Sequence, residues 1–261
     1  MKKYISNIKF LSIALAATLA FSSCTQEEEP LPAEGSLASS TGTVTDLEGN
    51  VYKTVTVGNQ TWMAENLRST VFQPIVASPI AADTLTLASG ASLWNSAAGT
   101  YYVPYLNNAT NRTNFGLLYN GLVVISNRNI CPDGWKIPSE EDFITLRDFL
   151  DGERSFDGTN SAGGKLKSIN TEFWDQPNVD ATNETGFNAL PSGARLTNTV
   201  VANNAFAQYT GLGTVASYWI KKPVSNQDPF LLKASLTSST GSLSISPEPR
   251  SVGLAIRCIK E

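Results

Sequence analysis

One ten-residue loop is rich in oxygen ligands, two cysteines lie far apart, and histidine is absent altogether. The loop from Asp175 to Glu184 holds Asp175, Gln176, Asn178, Asp180, Asn183 and Glu184, with Pro177 stiffening its start. Calcium takes about six to eight oxygens from carboxylates, amides and backbone carbonyls. Asp175, Asn178, Asp180 and Glu184 would supply several within one short span, so a structural calcium is the ion expected there. The spacing lacks the glycine-centred pattern of an EF-hand, and Asn and Asp are also ordinary turn residues. Asp175 with Asp180 or Glu184 is the carboxylate pair a glycosidase would need. A single loop is a poor source of opposed acids, and no catalytic residue is assigned. The lack of histidine removes Ser-His-Asp and Cys-His catalysis and every His-containing zinc site.

A second stretch with chemical potential is CPDGWKIPSEEDF, residues 131 to 143. Its acids have a structural task. Ser139 is a good N-cap, and Asp142 stands three residues on, as in a capping box. Glu140, Glu141 and Asp142 fill the first turn, where the helix dipole favours negative charge. Phe143, Leu146, Phe149 and Leu150 then recur at helical spacing, and Asp151-Gly152 stops the helix. Trp135 and Ile137 read as core. Cys131 and Cys258 are an even pair for one domain, which in an oxidising compartment favours a disulfide.

The elements that hold these residues follow from periodicity. Residues 50 to 68 alternate, break at Gly58-Asn59 and resume, which predicts a β-hairpin. From 69 to 114 the pattern fades into a long insertion with one or two short strands, such as TYYVPYL. Its Trp94, Tyr101, Tyr102 and Tyr105 read either as exposed binding aromatics or as the core of a large loop. A short helix is expected over 161–169. Strands are expected at GFNALPSGAR, ASYWIKK, PFLLKASLTSS, GSLSIS and VGLAIRCIK.

The chain opens with Lys2 and Lys3, an apolar run from Phe10 to Phe21, and Ser22-Ser23-Cys24. This is a secretory signal, and small residues ahead of a cysteine resemble a bacterial lipobox. The expected organisation is a lipoprotein signal over 1–23, lipidation at Cys24, a flexible acidic and Ser/Ala-rich tether over 24–43, and one domain over 44–261. The acidic TQEEEP resembles a surface-export signal of Bacteroidetes lipoproteins. Formal net charge is −4. Without the three signal lysines it becomes −7, from sixteen Lys and Arg against twenty-three acids. Such a body lacks the electrostatic footprint of a nucleic-acid binder.

The order DLEGNVYKTVTVGNQTWMAENLR, FGLLYN, CPDGWKIPSEEDF, AGGKLK, TNETGFNALPSG, YWI and GLAIRCIK resembles the Fibrobacter succinogenes major paralogous domain over residues 44–261. The resemblance implies a secreted or lipid-anchored protein and no established catalytic activity. GWKIPSEEDF and the terminal GLAIRC also look like the C-type-lectin-like fold of formylglycine-generating-enzyme domains. The implied fold class is α+β and C-type-lectin-like, with two helices, a curled mainly antiparallel sheet and long irregular loops. The catalytic cysteines of those enzymes have no counterpart. Of the lectin sugar motif only QPN, Gln176 to Asn178, is present, with YWI, residues 218 to 220, downstream. The expected function is a lipid-anchored binding module for glycan or a surface protein at the outer membrane, without catalysis. A subunit of a surface fimbria and a glycan-active enzyme are the alternatives.

Overall fold

The computed structural model describes residues 37–74, 83–88, 94, 99–151, 160–169, 171–201, 204–223 and 228–261. The assignments of a signal over 1–23 and of lipidation at Cys24 lie outside the described residues, as do parts of the 69–114 insertion.

The described residues begin with a meander. β1 (Ala38–Thr45) pairs antiparallel with β2 (Val51–Val57), which pairs with β3 (Gln60–Met63) across Gly58-Asn59. Within the expected tether, residues 38–43 are strand. Gly58 has φ +58, and Phe149 lies against it, close enough that a Cβ there would stand 2.9 Å from the ring. β2 is buried at Tyr52, Thr54, Val55 and Val57 and exposed at Val51 and Lys53. It is thus covered on both faces at one end and on one face at the other.

Two further strands complete this sheet from far along the chain: β7 (Trp135–Lys136) and β14 (Ile259–Lys260), in the order β1-β2-β3-β14-β7. The second sheet runs β4 (Thr86–Leu87), β5 (Tyr101–Val103), β6 (Leu118–Asn120), β13 (Gly253–Leu254), β8 (Ser192–Val201) and β9 (Asn204–Leu212). The third is the meander β10 (Val215–Ile220), β11 (Phe230–Thr237) and β12 (Ser244–Pro249). Among the described residues the named strands pair antiparallel except β4 with β5, and three isolated bridges, Ser139 with Lys221, Lys167 with Ala189 and Tyr218 with Ala255, are parallel. Among the described residues four α-helices intervene, α1 (Ala109–Phe115), α2 (Gly121–Ile125), α3 (Glu140–Asp151) and α4 (Ala162–Leu166), none longer than α3's 12 residues.

The expected two-helix α+β, C-type-lectin-like fold is therefore overturned. Among the described residues the protein is mostly β, with fourteen strands in three sheets and four short helices. The reason is that several of the strands are two or three residues long, too short for a period to register, and together they knit loops into sheets. The insertion illustrates this. Trp94, Tyr101 and Tyr105 are buried with Val103 and Leu118 in a small core of their own, and the Trp94 indole N–H donates to Ser251 O at 2.6 Å. They are packing groups rather than an exposed binding face.

α3 starts as its sequence dictates. Asp142 Oδ2 accepts from the Ser139 N–H and hydroxyl, both at 2.7 Å, while Ser139 Oγ accepts from Asp142 N–H at 3.2 Å. Phe143, Leu146 and Leu150 enter the main core, but Phe149 remains 52 % exposed and Arg147 is buried in its place. Cys131 and Cys258 form a disulfide with both residues fully buried, joining the approach to β7 to the approach to β14.

Candidate functional site

A cleft of about 530 Å³ opens where the first meander, the end of α1 and the turn after the acidic loop converge. Its polar wall is Lys53 on β2, Glu65 just after β3, Asn114 on α1, and Asn183 and Asn188; Phe173, Ala64 and Leu190 supply the apolar side.

The turn from Asn183 to Asn188 is fixed by local bonds. Gly186 N–H donates to Asn183 O at 2.9 Å, and Asn183 Oδ1 accepts from Asn188 N–H at 2.9 Å. Both asparagines adopt the left-handed region, φ 49 and φ 55, which Asn tolerates better than other non-glycine residues. Their side chains are thereby brought to one edge. The Asn114 and Asn188 amides have no hydrogen-bond partner among the described residues. Phe173 is held by an edge contact to Phe115, centroids 5.3 Å apart.

Glu65 is locked. One oxygen accepts from Lys53 N–H at 2.8 Å and the other pairs with the Arg68 guanidinium at 2.8 Å. Burial would raise its pKa, but these donors and the Arg257 charge outweigh that and hold it below the ordinary carboxylate value. Beneath the cleft lies Arg257, fully buried. Its Nε and Nη2 reach Asn66 Oδ1 at 3.0 and 2.5 Å, its Nη1 donates to Phe187 O, and it stacks 4.5 Å from the Phe187 ring and 5.2 Å from that of Tyr218. Asn66 Nδ2 in turn donates to Phe115 O at 2.8 Å, tying the end of α1 to this floor.

The four side chains marked in the acidic loop take separate partners. The Asp175 carboxylate lies against Gly213, Asn178 donates its amide to Ser168 O at 2.9 Å, Asp180 (φ 59) packs its carboxylate on Gly241, and Glu184 faces Lys165 at 3.5 Å. Four side chains engage four different partners. Among the described residues no group of three or more Cys, Asp or Glu gathers. The Lys167 ammonium occupies the inside of the loop, donating to Val179 O at 2.6 Å and to Thr237 O and Thr240 O at 2.9 Å each. Burial lowers its pKa to about 8, the Asp180 charge opposing. The lectin half-motif does not assemble either. Trp219 of YWI is fully buried and its indole N–H donates to Tyr119 O at 2.7 Å.

Of the residues marked from sequence, only Asn183 of the acidic loop lines the cleft. Lys53, Glu65, Asn114, Phe173 and Asn188 were missed as site residues. The signal available was polar residues inside otherwise apolar strings, Glu65 in WMAENL and Asn188 in GFNAL.

The fold and cleft define a disulfide-stapled, β-rich domain with an amide-lined depression over a buried arginine. The chain belongs to the Fibrobacter succinogenes major domain family, whose model matches residues 55–260. No curated protein and no solved structure matches the chain, so the likeness to the C-type-lectin-like and formylglycine-generating-enzyme folds has no support from them.

Proposed function

We propose that this protein is a binding module, anchored through Cys24 to the outer membrane and presented at the cell surface, that recognises a glycan without transforming it. The observation that carries the reading is the convergence of three asparagines, a locked carboxylate, Lys53 and Phe173 on one cleft of about 530 Å³. That volume falls in the range of small-ligand sites, roughly 300–1,000 Å³. An asparagine amide offers both a donor and an acceptor, which suits hydroxyls that do both. An aromatic ring beside them suits the apolar face of a sugar. Among the described residues Glu65 is the one carboxylate lining the cleft, and its oxygens are engaged by Lys53 and Arg68. A carboxylate so held favours accepting hydrogen bonds over trading protons.

The test is a glycan-array screen of the Cys24→Ala chain, which stays soluble if Cys24 carries the anchor, with and without calcium. Affinity for the best glycan should fall about tenfold or more in Phe173→Ala and in Asn188→Ala, the equivalent of about 1.4 kcal/mol. Binding unaffected by both variants moves the ligand elsewhere. Cleavage of the bound glycan would end the non-catalytic reading.

A second reading, a fimbrial subunit, has one observation in its favour. Asn204–Leu212 is an edge strand with only β8 beside it among the described residues, and such edges accept further strands. A monomer on gel filtration at high concentration would argue against it.

A further inference from the structure

We propose that the loop from Asp175 to Glu184 is built around a cation site, that the Lys167 ammonium is its resident ion, and that the site takes a monovalent ammonium rather than calcium. Lys167 is fully buried. Its three donors meet three backbone carbonyls, from the loop (Val179), the end of β11 (Thr237) and the turn that follows (Thr240). An ammonium has three hydrogens, so the set is saturated. The Trp174 ring lies 5.5 Å from Nζ, within cation–π reach. Asp180 is the acid whose charge acts on the group.

The surrounding backbone shapes the cage independently of the lysine. Val179 N–H donates to Ser238 O at 2.9 Å, Thr182 N–H to Gly164 O at 3.0 Å, and Gly164 N–H to Gly241 O at 2.8 Å. Gly164 and Gly241 admit no Cβ, because one would stand 2.2 Å from Asp180 O and 2.5 Å from Asp180 Oδ2 respectively. Three segments thus turn their carbonyls inward on one point. The contacts of 2.6–2.9 Å are hydrogen-bond lengths. Calcium would require about 2.3–2.6 Å and about six ligands or more, and three carbonyls with one nearby carboxylate fall short. The loop ends at the turn that carries Asn183 into the cleft, so the cleft wall is set without a metal.

The experiment is thermal melting of the full chain and its variants. The wild type should melt at the same temperature with calcium and with chelator. Lys167→Ala deletes the atoms of n-propylammonium and should melt roughly 10 °C lower, in keeping with a lost buried network in a domain of this size. Added n-propylammonium chloride should restore at least half of that loss, and calcium chloride none. Should Lys167→Ala fail to fold by itself, n-propylammonium chloride present during refolding should return a cooperative melt and calcium chloride should not. A variant that melts like the wild type, or one that no cation restores, overturns the proposal, as does restoration by calcium equal to that by the ammonium ion.

Discussion

At the residue scale, buried Arg257 governs the floor of the cleft. It offers its donors to Asn66 and to the Phe187 carbonyl, and burial lowers its pKa, with Tyr218 and Glu65 opposing. Leaving a buried acceptor unpaired costs about 1–3 kcal/mol. Arg257→Met strands the Asn66 oxygen and the Phe187 carbonyl together, so its urea midpoint should drop by the equivalent of about 3 kcal/mol with the m-value unchanged. Arg257→Lys should recover little, because a point charge cannot replace a planar fork that both bonds and stacks. A lysine variant as stable as the parent would mean that charge alone matters there. None of this was legible in the sequence. GLAIRC reads as a strand end, and the partners of Arg257 lie 191 and 70 residues away.

At the element scale, α3 is the part that local rules describe best. Ser139, Asp142 and Lys136 form a closed set, with Lys136 Nζ 3.0 Å from Asp142 Oδ2. Burial would raise the Asp142 pKa, but the Ser139 bonds and Lys136 prevail and hold it below its ordinary value. A depressed carboxyl adds stability above its unfolded pKa, about 3.9, and the gain is lost as pH falls through the folded pKa. Unfolding followed from pH 6 to pH 2 should show this slope in the parent and a weaker one in Asp142→Asn. Ser139→Ala should cost about 1 kcal/mol at neutral pH. The hairpin at Gly58 was equally legible, since a period of two is visible over residues 51–57. By contrast β9 was missed, because NAFAQYTGL does not keep a clean alternation. VGLAIRCIK, expected as one strand, is split into β13 and β14, of two residues each. The α+β expectation came from the likeness of GWKIPSEEDF and GLAIRC to the C-type-lectin-like fold. The sheets are assembled instead from segments whose partners are remote in the chain. The cleft shares that origin: Lys53, Asn114, Phe173 and Asn188 come from four separate stretches, and no local pattern can announce them.

At the scale of the whole molecule, the disulfide closes a loop with a sequence separation of 127. The chain-entropy relation gives roughly 4–5 kcal/mol for such a closure. The pairing was expected from count and compartment alone. Cys258→Ala should therefore lose a few kcal/mol of unfolding free energy, and the reduced parent should unfold at about the same urea concentration as the variant. If reduction leaves the midpoint unmoved, the link stabilises nothing.

The position of β14 between β3 and β7 has a further consequence, for a chain that emerges N-terminus first. The ribbon β1-β2-β3 can form early, yet the edge that carries Trp62 waits for Ile259, about 200 residues of further delivery, a closure that long-range β pairing makes slow. Throughout that interval the ribbon offers an unsatisfied rim of amides and carbonyls. An escort that shields this rim would shorten the wait's hazards, and a chain stalled before β14 would present it to degradation.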